Sequence, residues 1–244
     1  MCKMIHLCIF AADMDRLVIF DLDGTLLNTI ADLGNAANHT LEELGLPQHT
    51  LDEYRLMVGN GMRKLIMRAL PDDKADDDAF VDSTLARFLE YYAEHIDVYT
   101  TPYPGIPELI SALSTGGYKL AVASNKIQAG AERLIEKFFP GIDFVAVMGN
   151  SPKYPLKPDA VVVEYIMDKA GTDRAHTIMV GDSGTDIQTA RNAGIPIIAV
   201  SWGFRPRHEL TSANFIADDV VSLKKILMLG CAGPRIERPA GCRD

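Results

Sequence analysis

Asp21 and Asp23 stand one residue apart at the end of the apolar run Leu17-Val18-Ile19-Phe20, and Gly24-Thr25 follow at once. Like charges that close repel each other, and burial raises the cost of ionising either one. Three further groups could complete a site. Ser124-Asn125-Lys126 follows the apolar run Lys119–Ala123, Lys157-Pro158 lies in a polar segment, and Gly181-Asp182-Ser183-Gly184-Thr185-Asp186 begins as the run Thr177–Val180 ends. Carboxylates clustered in this way are tolerable around a hard cation. Magnesium prefers oxygen ligands and usually binds through a few carboxylates together with substrate phosphate. With a cation present, Asp21 can stay ionised and act as a nucleophile. Ser124, Asn125 and Lys157 supply the donors that phosphate oxygens require, while Gly24 and Thr25 let the backbone turn closely beneath the phosphate.

Each residue also has a plainer reading. Asp21 and Asp23 suit a capping turn before a helix. A calcium loop counted from Asp21 would need Glu at its twelfth position, where Asp32 stands. Ser124 and Asn125 fit a helix N-cap, a place that also binds phosphate well. Asp182 could cap a helix, and Asp186 could be a surface residue on a first helical turn.

Positioning these groups falls to short apolar runs: Leu17–Phe20, Lys119–Ala123, Phe144–Met148, Thr177–Val180 and Pro196–Val200. Helical periods lie between them, with Ile106, Leu109, Ile110 and Leu113 on one face and Leu134, Ile135 and Phe138 on another. This alternation predicts an α/β fold, a Rossmann-like parallel sheet with helices on both faces. Ligands of such sheets bind at the carboxyl ends of the strands, where the chemical groups sit. The alternation breaks from residue 30 to residue 100. Leu85, Phe88, Leu89 and Tyr92 there share a helical face, so a small all-helical cap is expected, inserted after the first strand. The acidic run Asp72–Asp78 reads as a solvated turn, and the Pro-rich stretch Thr100–Glu108 as a hinge or linker. The expected units are a core of residues 14–29 and 101–230, the cap at 30–100, an N-terminal extension at 1–13 and a disordered tail at 231–244.

The chain has 244 residues, 48% hydrophobic and 23% charged, with a formal net charge of -9. The acidic balance argues against nucleic acid and anionic lipid as partners. No apolar run is long enough to span a bilayer. Cys2, Cys8, Cys231 and Cys242 all lie near the termini, which suits a reducing, cytoplasmic location. Residues 1–13 weakly resemble a signal peptide, though a start at Met14 is the plainer reading.

Asp21-Leu22-Asp23-Gly24-Thr25, Ser124-Asn125-Lys126, Lys157-Pro158 and Gly181–Asp186, in this order, resemble the four motifs of the haloacid dehalogenase superfamily. The resemblance covers residues 14–228. Within the superfamily it is strongest to phosphoglycolate phosphatases, on Val58-Gly59-Asn60-Gly61, Tyr103-Pro104-Gly105-Ile106 and Ser124-Asn125-Lys126. It implies that Asp21 forms an aspartyl-phosphate and that Asp23 is a general acid/base whose carbonyl also meets the metal. Lys157 would steady nucleophile and phosphate. Asp182 would complete a magnesium site with Asp21 and Asp23, and Asp186 would support it directly or through water. Gly59, Asn60 and Gly61 would lie over the nucleophile and contact substrate, with Arg63 and Lys64 either pairing with a substrate carboxylate or forming a solvated face. Leu156 stands where a basic residue is usual, leaving Lys153 as a rival to Lys157. Asn28 stands where many relatives carry an acid. Trp202–Arg205 follows a strand end and reads as packing, with lining the site as the alternative, and His39, His49 and His95 read as structural or surface residues.

The activity so implied is magnesium-dependent hydrolysis of a small phosphate monoester by a monomer or homodimer. A phosphomutase of the same architecture and a pyrophosphatase or nucleotidase are alternatives. Asp23 speaks against a dehalogenase, and the intact set of charged residues against a non-catalytic binder.

Overall fold

The computed structural model describes residues 16–229. The expectations for residues 1–13, for Met14, for the tail and for the four cysteines therefore lie outside the described residues.

Six strands form one sheet in the order β5-β4-β1-β6-β7-β8, every neighbouring pair parallel. They are β1 (Leu17–Phe20), β4 (Lys119–Ile127), β5 (Phe144–Asn150), β6 (Thr177–Gly181), β7 (Ile197–Val200) and β8 (Phe215–Ala217). Successive side chains of a strand point to opposite faces. In β1, Val18 and Phe20 join one core cluster, while Leu17 and Ile19 join the other. The first cluster takes Leu109 and Leu113 of α6 (Ile106–Thr115), Leu134 of α7 (Gln128–Phe138) and Leu223 of α10 (Val220–Leu229). The second takes Val163 and Ile166 of α8 (Val161–Ala170) and Ile187 and Ala190 of α9 (Gly184–Ala193). Burial on both faces is why the strands read as unbroken apolar runs. Since β1 lies between β4 and β6, the chain reverses its direction of travel across the sheet there. A crevice opens outside the carboxyl ends of strands at such a point.

Five helices occupy the segment after β1: α1 (Ile30–Glu43), α2 (Leu51–Met57), α3 (Met62–Ala69), α4 (Asp72–Ala75) and α5 (Asp78–His95). Phe88 and Tyr92 of α5 are fully buried, as the helical period predicts, and Val81 and Thr84 share that burial. The run Asp72–Asp78 is largely exposed, but it is more than a turn. It forms α4, and Asp77 caps α5 by accepting from the backbone N–H groups of Ala79 and Phe80.

The helical segment is framed by a feature the sequence reading lacked. β2 (Leu27–Asn28) pairs antiparallel with β3 (Thr101–Pro102), so the chain leaves and returns at one place. Beside this pair, the buried Asp32 accepts from the N–H groups of Tyr99 at 2.9 Å and Thr100 at 2.8 Å, and from the Thr100 hydroxyl at 2.7 Å. No helix among the described residues is long and apolar enough to cross a membrane.

Candidate functional site

Asp21 is the first residue beyond β1, and its N–H still bonds the carbonyl of Val180, so the parallel ladder fixes where its side chain emerges. One residue beyond β6, the Asp182 side chain accepts from the N–H of Phe204 at 2.6 Å. Gly24 and Gly203 press directly against that carboxylate, and a Cβ at either would collide with it. Asp186 lies in the first turn of α9 and is fully buried, not on the surface. Its Oδ2 closes a capping box with Ser183, accepting from the Ser183 N–H at 3.1 Å and hydroxyl at 2.6 Å. Its Oδ1 accepts from Lys157 Nζ at 2.7 Å, and the same ammonium donates to Asp21 Oδ1 at 2.7 Å. Oxygen atoms of Asp21, Asp182 and Asp186 all lie within 4.8 Å of one another.

Burial is the largest influence on Asp21 and pushes its carboxyl up to about 7; Lys157 opposes this, while Asp186 and Asp23 add repulsion. Asp182 is raised well above the usual range, by burial first and then by the Asp21 and Asp186 charges. Lys157 is also buried, which disfavours its charge, yet its two carboxylate partners outweigh this and hold its pKa above the usual lysine value. Lys153, the rival, is exposed and lies over the rings of Tyr154 and Tyr165.

The Asp23 carboxyl stands apart from the cluster of three and meets Lys126, whose Nζ donates to its Oδ1 at 2.9 Å. Ser124, Asn125 and Lys126 belong to β4, and Ile127 occupies the N-cap position of α7, so neither Ser124 nor Asn125 caps that helix. The Ser124 hydroxyl accepts from the N–H of Lys126 at 3.1 Å. The Asn125 carboxamide accepts from the N–H of Lys157 at 2.8 Å and donates to its carbonyl at 3.1 Å and to that of Gly59 at 3.2 Å. It thus braces the lysine segment against the helical layer.

These groups open into a cleft between the sheet and the helical layer. Its floor holds Asp21, Asp23, Ser124, Lys157 and Asp182, and its other wall is Leu33, Val58, Met62 and Leu65 of the helical layer. Gly59 and Gly61 line it as well, with φ of +107° and +86°, a region that glycine adopts readily. Asn60 turns away, donating to the Thr185 hydroxyl at 2.9 Å and accepting from Arg68 at 2.8 Å. Arg63 is spent on Asp78 and Asp82 at 2.6 and 2.8 Å, and Lys64 is exposed. Phe204 and Arg205 line the cleft, while Trp202 packs and donates to the Thr25 carbonyl at 3.2 Å. Arg205 donates to the carbonyls of Leu56 and Val58 at 2.9 and 2.8 Å. His49 is tied to the Ala69 carbonyl, and His39 and His95 stack on Tyr91, all away from the cleft.

Two residues of this neighbourhood escaped the sequence reading as functional groups, Lys126 and Asp32, and of Arg205 the hold on the Leu56 and Val58 carbonyls was not foreseen. Lys126 had a signal, since a lysine at the end of an apolar strand must find a partner or stay charged without one.

Residues 18–200 match the family of haloacid dehalogenase-like hydrolases. A phosphoglycolate phosphatase of Agrobacterium fabrum is 39% identical over 217 residues, which cover 88% of this chain and 93% of that protein. One from Pseudomonas putida is 34% identical over 231 residues, covering 93% of this chain and 83% of its own length. A solved structure from Lactobacillus delbrueckii subsp. bulgaricus, of a protein expected to be a phosphoglycolate phosphatase, matches with a TM-score of 0.82 at 32% identity. It covers 88% of this chain and 99% of that one.

Proposed function

The chain belongs to the haloacid dehalogenase-like hydrolases and is a phosphoric monoester hydrolase, and on that premise we propose that it is a magnesium-dependent phosphatase carrying the phosphoryl group of phosphoglycolate on Asp21. The observation that carries this reading is the setting of Asp21. Its oxygen is 2.7 Å from the Lys157 ammonium, beside Asp182 and Asp186, at the floor of a cleft walled by the helices.

The residues fit a divalent cation. Three buried carboxylates converge, one ammonium is shared by only two of them, and Asp182 has no ion-pair partner among the described residues. An all-oxygen donor set suits magnesium better than metals that favour thiolate or imidazole. Asp21, Asp182 and Asp186 would hold the ion, with Asp23 adding its carbonyl. When bound, the ion neutralises charge on the transferred phosphoryl group.

The rest falls to the chain's own residues. Lys157 and Ser124 hold the phosphate oxygens in line with Asp21. A carboxylate oxygen of Asp21 attacks phosphorus, and the bond to the ester oxygen breaks as Asp23 gives that oxygen a proton. The Asp23 carboxylate then takes a proton from the water that attacks the aspartyl-phosphate, releasing inorganic phosphate and restoring both aspartates. The apolar wall excludes bulk water meanwhile. The choice of phosphoglycolate is supported by likeness to the named relatives.

A panel of phosphate esters, assayed with and without magnesium, tests the reading. Phosphoglycolate should lead the panel, releasing phosphate steadily, and chelation should abolish turnover until magnesium is returned. Full activity after exhaustive chelation would overturn the metal requirement, and a different leading ester would overturn the substrate.

A further inference from the structure

Lys126 is 1% exposed, and the catalytic scheme above gives it nothing to do. Burying an ammonium is unfavourable until its partners compensate, and an apolar side chain would fill the same space without that cost. Its two partners come from different parts of the fold. Asp23 Oδ1, from the loop after β1, accepts at 2.9 Å, and the hydroxyl of Tyr92, from α5 of the helical layer, shares the same Nζ. The ammonium lies 4.9 Å from the centroid of the Tyr92 ring, on its hydroxyl side, so the hydroxyl and not the ring face is what it meets. Tyr92 is itself fully buried and stacks on Phe88 at 5.3 Å, so its position is set by the packing of α5.

We propose that Lys126 is a positioning residue for Asp23, and that through Tyr92 it makes the aim of the Asp23 carboxyl depend on how the helical layer is seated. A single ammonium bonded to both cannot keep both bonds if α5 moves away from the sheet edge. With the layer seated, Asp23 Oδ1 is pinned and the carboxyl faces the cleft. With the layer displaced, the lysine must release one partner, and Asp23 loses its fixed direction. Proton delivery to the leaving oxygen is thereby confined to the enclosed site, where bulk water is excluded.

The inference rests on the reading of Asp23 as the acid, and the test separates the two. An alkyl phosphate such as phosphoglycolate needs its leaving oxygen protonated, whereas 4-nitrophenyl phosphate departs as a stable anion and does not. A lysine that merely holds the fold together would affect both esters alike. The measurement is kcat/KM for both in Lys126→Met, Tyr92→Phe and Asp23→Asn, with melting curves alongside. Lys126→Met should lose about 10²-fold on the alkyl ester, the low end for an acid–base group, and under ~5-fold on the aryl ester. Tyr92→Phe should lose in the same sense, by about 3- to 10-fold on the alkyl ester. If Asp23→Asn shows the selective loss and Lys126→Met loses on both esters equally or on neither, the positioning role is overturned while the acid stands. If Asp23→Asn itself shows no selectivity, the assignment of the acid fails and the role of Lys126 falls with it. Should Lys126→Met not fold, Tyr92→Phe decides alone, since it removes one hydroxyl; equal losses on the two esters would then overturn the proposal.

Discussion

The sheet edge and the helical layer face each other across one cleft and supply it with opposite materials. From the edge come Asp21, Asp23, Lys157 and Asp182; from the layer come Leu33, Val58, Met62 and Leu65 with two glycines. The layer has charged side chains, but Arg63, Asp78 and Asp82 spend them on one another at its outer surface. The two regions are also held in different ways. Asp21 and Asp182 are delivered by neighbouring parallel strands whose register is fixed by backbone hydrogen bonds. The loop of the layer is gripped by its own backbone, through the carbonyls of Leu56, Val58 and Gly59. The difference teaches where each kind of change should act: chemistry at the edge, and enclosure and selection in the layer.

The largest effect should come from the edge. Asp21→Asn keeps the shape of the side chain but lacks the attacking anionic oxygen, so turnover should fall by about 10⁴-fold or more, beyond the usual worth of an acid–base group. Mass spectrometry of enzyme trapped with a phosphoryl donor should place phosphate on Asp21 in the parent and nowhere in the variant; phosphate on another residue would break the assignment.

Next in size is a pH effect on the metal-free protein. Asp21 keeps its proton up to about 7 when folded but titrates at 3.8 when unfolded. Between those values the folded chain binds more protons, so stability falls as pH rises through that window. Melting temperature should drop across it in the parent and more shallowly in Asp21→Asn, and added magnesium should flatten the parent's curve. Parallel curves for the two proteins would show that this carboxyl is not held neutral by its surroundings.

A smaller change is expected from the layer. Asn60→Ala removes the bond to Thr185 that pins the loop to α9. It should reorder a panel of esters by up to about tenfold in kcat/KM, while sparing a small generic ester, since fit and not chemistry is disturbed. An unchanged ranking would deny this loop a part in selection. The smallest effect belongs to Arg63→Ala. Exposed ion pairs contribute little, so kcat/KM for phosphoglycolate should stay within about twofold and melting should hardly move. A large loss in kcat/KM would mean that the layer reads substrate charge after all, and the contrast between the regions would dissolve.

The same contrast explains what could be read in advance. The strands ending at Phe20, Gly181 and Val200 were legible because burial on both faces demands unbroken apolar runs, and Asp21 and Asp182 were legible because carboxylates there need a reason. β2, β3 and β8 were not, since two or three residues carry no period to detect. Lys126 was visible as a residue but not as a link, because its partners sit 103 and 34 positions away and only packing unites them. Asn125 read as a phosphate donor, and its amide instead engages backbone groups that no sequence pattern marks. The grip of Arg205 was hidden for the same reason: a carbonyl is present at every position.

The β2–β3 pair and the Asp32 clasp place the two ends of a long excursion side by side. For the path of the chain, everything between them leaves the sheet and rejoins it at one place, and its contour length hardly matters to the strands. Doubling such an excursion adds only about 0.6 kcal/mol of closure entropy. The excursion between Asn28 and Thr101 can therefore be exchanged for another of different length and wall shape without disturbing the register of β1 against β4 and β6. One reactive edge can in this way serve a succession of substrates, each admitted by a different lining.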